Sequence, residues 1–253
     1  MKFELTLSTS TLEKNMAATP QILRHSETGL EYLNCMTRHV YTTGVEEIDG
    51  LSSKRGLVTG SLVELSGGPR VGKTRIAFNV ISTFVLPRPL GGHERYVVYL
   101  DMDGRFDAAR LRETISTRIL NIRGNNTETK QVQNIKIIES CLGRVLVIKC
   151  EFAKHVDVAL QQTINMLSTS DKDFGLVVLS NLAGCFFDNR SRNACNSFGT
   201  MVARHVENLR NQHRVVVLTT ISTLFETTDS GRHLLGPSWE RLKRYKVPLK
   251  RML

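Results

Sequence analysis

A chain of 253 residues, 41% of them hydrophobic, is long enough for one sizeable α/β domain with an ordinary core. The net charge of +10 favours a polyanionic partner, although evenly spread surface charge would give the same total. Five cysteines without C-x-x-C pairing and no apolar run near ~20 residues argue against a disulfide framework, a zinc site and a membrane protein. We expect a reducing compartment, the cytosol or the nucleus.

The first 40 residues are rich in Ser, Thr and Asn and show little periodicity. This composition predicts a loosely packed arm or a partner-binding segment, and not a separate N-terminal domain. The ordered core is expected to begin at residue 41.

A phosphate-binding loop is the most specific motif of the chain. The apolar run Leu62-Val63-Glu64-Leu65 predicts a short buried strand, and residues 76–84 carry apolar side chains at helical spacing. The segment between them matches G-x-x-x-x-G-K-[ST] in its required strand-loop-helix context. The predicted nucleotide-binding residues are Gly67, Gly68, Pro69, Arg70, Val71, Gly72, Lys73 and Thr74.

The spacing of this motif has a physical cause. Glycines let backbone N–H groups converge on an anion, and the following helix adds the positive end of its dipole. Lys73 is expected to reach the β- and γ-phosphates of ATP, and the Thr74 hydroxyl to bind magnesium. The alternative is a glycine-rich turn that binds nothing.

Further apolar runs alternate with helical segments along the chain. The predicted strands are Tyr96–Asp101, 145–150, 176–179 and 215–218, and the predicted helices include 111–119, 156–167 and 201–209. This alternation predicts an α/β fold with a mostly parallel central sheet and helices on both faces. On the last helix, His205 is expected to be a satisfied core histidine.

Several strings resemble the ATPase core of the RecA-like recombinases. They are Thr43-Gly44 with Ile48-Asp49, then Gly60-Ser61-Leu62 with Glu64-Leu65, and then the phosphate loop, in the order of that family. Other strings resemble its small eukaryotic paralogues, which lack the recombinase N-terminal domain: Asp101-x-Asp103, Cys141-Leu142-Gly143-Arg144, and Trp239 with Arg244. The resemblance covers about residues 41–245 and implies a RecA-like core with a basic tail over 246–253.

The same resemblance implies a weakened hydrolytic site. Asp103 stands where the family has the glutamate that polarises the attacking water, and it is one methylene shorter. Ser180 stands where an aspartate usually holds magnesium. Residues 219–222, expected after a strand ending at Leu218, offer no Asn or Gln to sense the γ-phosphate. Together these departures predict ATP binding with little or no hydrolysis.

Two regions are candidates for DNA contact. RecA-like proteins place DNA-facing loops near residues 185–200 and 225–238, and Arg190 and Arg192 with the neighbouring aromatic residues suit single-stranded DNA. Buried aromatic residues with solvated arginines are an equally good interpretation. The last 22 residues carry seven Lys and Arg against one Glu, which predicts either an electrostatic footprint or a disordered basic tail.

The sequence thus favours a nuclear accessory subunit of homologous-recombination DNA repair that binds ATP, magnesium and single-stranded or branched DNA. The partner implied by the resemblance is another recombinase paralogue in a hetero-oligomer. Residues 1–40 contain no Phe-x-x-Ala motif, so self-polymerisation is not expected. The alternatives are an active DNA-dependent ATPase with Asp103 as base, and a nucleotide-free scaffold for protein contacts.

Overall fold

The computed structural model of the chain describes residues 39–123, 128–182, 184, 192–222 and 235–250. The predictions for Arg190, for nearly all of the N-terminal arm and for residues 185–191 and 225–234 of the two candidate DNA loops lie outside the described residues. From Val40 onward the described residues belong to one compact unit.

A six-stranded parallel sheet forms the centre of this unit. The strand order is β5-β4-β6-β7-β3-β8, and a short antiparallel pair, β1 and β2, lies outside it. The strands are β1 Val40–Tyr41, β2 Leu57–Val58, β3 Leu62–Gly67, β4 Tyr96–Asp101, β5 Val145–Lys149, β6 Phe174–Ser180, β7 Val216–Ser222 and β8 Tyr245–Leu249.

Helices cover both faces of the sheet. They are α1 Glu46–Asp49, α2 Lys73–Val85, α3 Ala108–Arg123, α4 Glu128–Leu142, α5 Ala153–Thr169, α6 Arg192–Asn211 and α7 Gly236–Glu240, with a 3-10 turn at Arg88–Leu90. Among the described helices, none is long and apolar enough to cross a bilayer.

The two faces divide the core because successive strand residues point in opposite directions. On β4, Val97 and Tyr99 pack with α2, α3 and α4, whereas Val98 and Leu100 pack with α5, α6 and α7. The predicted α/β fold, a parallel sheet covered on both faces, is therefore confirmed.

Several predicted boundaries need correction. β7 continues to Ser222, so residues 219–222 belong to a strand and do not follow one. α6 begins at Arg192 and α7 at Gly236, so parts of both predicted DNA loops are helical. β8 extends to Leu249, so residues 246–249 of the predicted tail over 246–253 are part of the sheet, where their backbone pairs with β3.

The α6–α7 crossing depends on two glycines. A methyl group at Gly199 of α6 would overlap the carbonyl oxygen of Leu235, the residue that precedes α7. Gly236 has a φ of 73° and lies against Asn196, so its backbone is also restricted to glycine. Close backbone contact therefore fixes α7 on α6.

A buried carboxylate connects β3 to the C-terminal segment. Glu64 has no solvent exposure. Its Oε2 accepts a hydrogen bond from Trp239 Nε1 at 2.8 Å and lies 2.8 Å from Arg244 Nε. Lys246 Nζ is 3.9 Å from the other oxygen, Oε1. The Arg244 charge is thus used inside the fold and is not part of a free basic surface.

Arg244→Met tests this buried pair. The substitution leaves Glu64 without its close cation, and losing one partner of a buried pair costs about 3 kcal/mol of unfolding free energy. Urea unfolding of the variant measures this loss. Arg241→Met, which removes an exposed arginine of the same segment, is the control and is expected to change stability by less than about 0.5 kcal/mol.

If the Glu64 carboxylate causes the loss, replacing it as well restores part of the stability. The double variant Glu64→Gln, Arg244→Met is therefore expected to be more stable than Arg244→Met alone. Equal stability of Arg244→Met and Arg241→Met would contradict the role given to the buried pair.

Candidate nucleotide-binding site

The predicted phosphate loop joins β3 to α2 at the carboxyl edge of the sheet. Gly67 is the last residue of β3, and α2 begins at Lys73. Gly72 caps the helix in the left-handed region with a φ of 97°, which favours glycine. The strand-loop-helix arrangement expected for a phosphate-binding loop is confirmed.

Lys73 folds back over the start of the loop. Its Nζ donates hydrogen bonds of 2.6 Å to the carbonyl oxygens of Gly67 and Gly68. Partial burial lowers the pKa of this lysine, because the charged form loses hydration. The ammonium group therefore lies inside the loop, where its charge would attract a bound anion strongly.

The loop leaves no room for a side chain at its first glycine. A Cβ atom on Gly67 would lie 2.6 Å from the carbonyl oxygen of Leu249 and 2.8 Å from Val71 Cγ2. Backbone amides at the N-terminus of α2 and the Lys73 ammonium form a cradle suited to phosphate. The residues present thus fit a nucleotide, and Thr74 in the first turn of α2 suits a magnesium ion bound with it.

A cleft of about 1690 Å³ opens above this loop. Residues 69–74 line it together with Asp103, Ser180 and Asn181. The cleft walls also include residues that the sequence analysis did not assign to the site: Glu46, Glu47, Arg105, Arg110, Thr220 and Lys250. Basic side chains outnumber acidic ones in this wall, as a polyanionic ligand requires.

The Thr43-Gly44 motif forms a turn at one side of the cleft. Asp49 accepts hydrogen bonds from the backbone N–H groups of Thr43 and Gly44, at 2.7 and 2.9 Å. Gly44 has a φ of 68°, and a side chain there would overlap the guanidinium of Arg118 on α3. Asp49 thus holds the turn whose Gly44 lines the cleft, a role that the motif alone had not indicated.

The side chain of Asp103 is mostly buried. Its Oδ2 accepts a hydrogen bond of 3.1 Å from Asn181 Nδ2, and its side chain is 16% exposed. Burial raises the pKa of Asp103, and a hydrogen bond with the Asp101 carboxyl group raises it further. Asp101 is itself buried and accepts bonds from the N–H groups of Arg105 and Phe106.

Ser180 ends β6 directly opposite Asp101 of β4 in the parallel register. The next residue, Asn181, has a φ of 51°, and its N–H group donates 2.7 Å to Thr220 Oγ1 on β7. Asn181 therefore connects the ends of β4 and β7 through its hydrogen bonds to Asp103 and Thr220. Among the described residues at this sheet edge, Asp103 is the carboxylate that lines the cleft, and a hydroxyl, Ser180, stands where an aspartate was expected.

Only some of the predicted site residues lie close together. The loop residues and Asp103 lie around the cleft. Arg192 begins α6, although its side chain is not among those described, and Arg190 lies outside the described residues. His205, predicted to be a core residue, is 8% exposed, and its Nε2 lies 2.7 Å from Asp157 Oδ1.

The chain is similar to one known protein family and to several curated proteins. The family model described as Rad51 matches residues 38–221. The DNA repair protein rhp51 of Schizosaccharomyces pombe is 31% identical over 145 residues, covering 57% of this chain and 34% of the relative. The DNA repair protein RAD51 homolog 3 of Dictyostelium discoideum is 24% identical over 203 residues, covering 74% and 51%.

The DNA repair protein XRCC2 homolog of Arabidopsis thaliana is 24% identical over 210 residues, covering 67% of this chain and 56% of the relative. In these matches the chain spans from about a third to just over half of the curated relatives' length.

The parallel sheet with a phosphate loop at its carboxyl edge defines an α/β protein of the RecA-like class. Because the Rad51 model covers most of the chain, the protein belongs to the Rad51 family. Relatives named as RAD51 homologs and as an XRCC2 homolog confirm the predicted resemblance to the recombinase paralogues.

Asp103→Asn tests the environment of the cleft carboxylate through pH. An aspartate whose folded pKa is raised above its ordinary value of 3.8 destabilises the fold once pH exceeds the folded pKa. The substitution is expected to stabilise the protein at about pH 7, where the folded carboxylate is ionised. This gain is expected to shrink as the pH falls toward about 4, because both states then bind the proton.

Melting temperatures of wild type and variant across this pH range measure the effect. Asp171→Asn, in the exposed turn before β6, is the control. A gain that does not change with pH, or a loss that is greatest at neutral pH, would contradict the assignment.

Proposed function

We propose that this protein is a nucleotide-binding accessory subunit of recombinational DNA repair, and that it hydrolyses ATP slowly or not at all. The observation that carries the proposal is the combination of an intact phosphate loop with an incomplete set of carboxylates. The loop glycines and Lys73 retain the strand-loop-helix arrangement of a phosphate loop, whereas Ser180 ends the strand that usually supplies an aspartate.

ATP would be bound by the backbone of residues 67–72 and by Lys73, with Thr74 as a ligand of the accompanying magnesium ion. Magnesium, when bound, neutralises charge on the β- and γ-phosphates. Lys73 Nζ would move from the two loop carbonyl oxygens to the phosphates. It would then exchange two neutral hydrogen-bond acceptors for a charged one, which binds an ammonium more strongly. The chain thus retains what binding requires.

Hydrolysis requires more than binding. A general base has to be ionised and within reach of the attacking water. Asp103 is one methylene shorter than the glutamate of the family and is bonded to Asn181, so its reach to an attacking water is reduced. Burial and the Asp101 carboxyl group raise its pKa. Ser180 removes a negative charge beside the metal position. These features support weak turnover, since each lost group costs about a hundredfold in rate.

The relatives support the biological context. Their printed names describe DNA repair proteins, and several are homologues of RAD51 or XRCC2. We infer that this chain acts in the nucleus beside another recombinase paralogue, and that it contributes to recombinase assembly on single-stranded or branched DNA. Arg190 and Arg192 remain the predicted DNA contacts.

Two other functions differ from this one in the outcome of simple measurements. An active DNA-dependent ATPase would use Asp103 as the base and an acidic residue from elsewhere, and DNA would stimulate its phosphate release. A nucleotide-free scaffold would leave the loop without a ligand, so Lys73→Ala would have no effect on stability in ATP. The cleft with its basic wall favours a bound nucleotide over the scaffold.

Melting temperature in millimolar Mg-ATP tests the binding step. A ligand that binds only the folded state at about a hundred times its Kd adds about 2.7 kcal/mol, which corresponds to roughly 5–10 °C for a chain of this size. We expect such a rise for wild type and none for Lys73→Ala. Arg55→Ala, an exposed residue outside the cleft, is the matched control.

A wild-type melting temperature that ATP leaves unchanged would contradict nucleotide binding by the isolated chain. Repeating the measurement with the purified paralogue complex would then show whether the partner completes the site.

Phosphate release tests the hydrolytic step. Wild type is expected to turn over far below about 1 s⁻¹, the lower end of ordinary enzymes, with or without single-stranded DNA. Restoring both carboxylates with Asp103→Glu and Ser180→Asp is expected to raise the rate at least about tenfold. Adding Lys73→Ala to that variant is the control, and it should abolish the gain. DNA-stimulated turnover by wild type would favour the active ATPase.

A further inference from the structure

The carboxyl end of β8 lies beside the first residue of the phosphate loop. In the parallel pairing of β3 with β8, Gly67 is opposite Leu249. The close approach of the Leu249 carbonyl oxygen to Gly67 shows that the two backbones are in contact there. The next residue, Lys250, is exposed and lines the same cleft as residues 69–74.

The position of β8 is fixed by buried contacts. Arg244 and Trp239 both bind the Glu64 carboxylate on β3. Arg244 Nη1 also donates 2.8 Å to the Trp239 carbonyl oxygen near the end of α7. The backbone of Lys250 therefore has a fixed position relative to the loop, whereas its side chain is free to reach into the cleft.

The sheet order indicates which part of a nucleotide Lys250 would meet. β8 is at the edge beside β3, whereas β7, β6 and β4 lie on the other side of β3. Asp103 and Ser180 belong to that other side, where the terminal phosphate would be attacked. Lys250 thus approaches from the side opposite the γ-phosphate.

We propose that Lys250 is a second phosphate-binding lysine of this site, and that it contacts the phosphates that ADP and ATP share. The inference rests on the proposed nucleotide-binding function. A charge-assisted hydrogen bond from an ammonium to a phosphate oxygen is about twice as strong as a neutral one. The loop backbone and Lys73 would hold the anion from one side and Lys250 from the other.

The test compares nucleotide affinities of Lys250→Met and Lys243→Met. Lys243 is an exposed lysine on the same segment that does not line the cleft, so its replacement gives the same change of charge. Direct titration with a fluorescent N-methylanthraniloyl ADP and competition by unlabelled ADP and ATP give the dissociation constants in magnesium buffer.

We expect Lys250→Met to weaken ADP and ATP by the same factor, about tenfold, with the melting temperature in the absence of nucleotide unchanged. Lys243→Met is expected to bind as wild type does. A loss confined to ATP would overturn the proposed position of Lys250, because it would place the contact at the γ-phosphate.

Unchanged affinity in Lys250→Met, while Lys73→Ala abolishes binding, would overturn this inference and leave the nucleotide site intact. Wild-type protein that binds neither nucleotide would overturn the proposed function, and the inference with it.

Discussion

Glu64 lies in the middle of β3 with no contact to solvent, and a carboxylate in that position must be neutralised by groups from elsewhere in the chain. Trp239 and Arg244 supply a hydrogen bond and a positive charge, and both come from the segment that ends in β8. Pairing of β8 with β3 therefore depends on a charge pair as well as on backbone hydrogen bonds. Because β3 leads directly into the phosphate loop, the same pair also determines which residues surround the loop.

In the function proposed for this protein, the cleft separates nucleotide binding from hydrolysis. Its binding half consists of backbone groups and a lysine, which need only the strand-loop-helix geometry. Its hydrolytic half needs ionised carboxylates at fixed positions, and here Asp103 is bonded to Asn181 while Ser180 replaces an acid. A site of this kind can hold a nucleotide as a fixed part of the structure. Its occupancy would then report nucleotide concentration and not the progress of a reaction.

Periodicity in the sequence was sufficient to predict five of the six strands of the sheet, because β-branched and apolar runs such as Tyr96–Asp101 are buried on both faces. It missed β8, whose residues 246–249 were predicted to belong to a basic tail. It was not sufficient for α4, whose inward positions include the polar residue Asn134 between apolar ones. The loop could be predicted from glycine spacing alone. The roles of Arg118, Asn181 and Lys250 could not, since each depends on contacts between residues far apart in the chain.

The crossing of α6 and α7 at Gly199 has a consequence for sequence change in this protein. Catalytic residues are usually regarded as the positions least free to vary, yet a close backbone contact can restrict a residue as strictly as a reaction does. A side chain at Gly199 would displace Leu235 and with it α7, which carries the Trp239 that binds Glu64. A single added methyl group at this crossing would therefore act, through α7 and the Glu64 pair, on the strand that ends beside the phosphate loop.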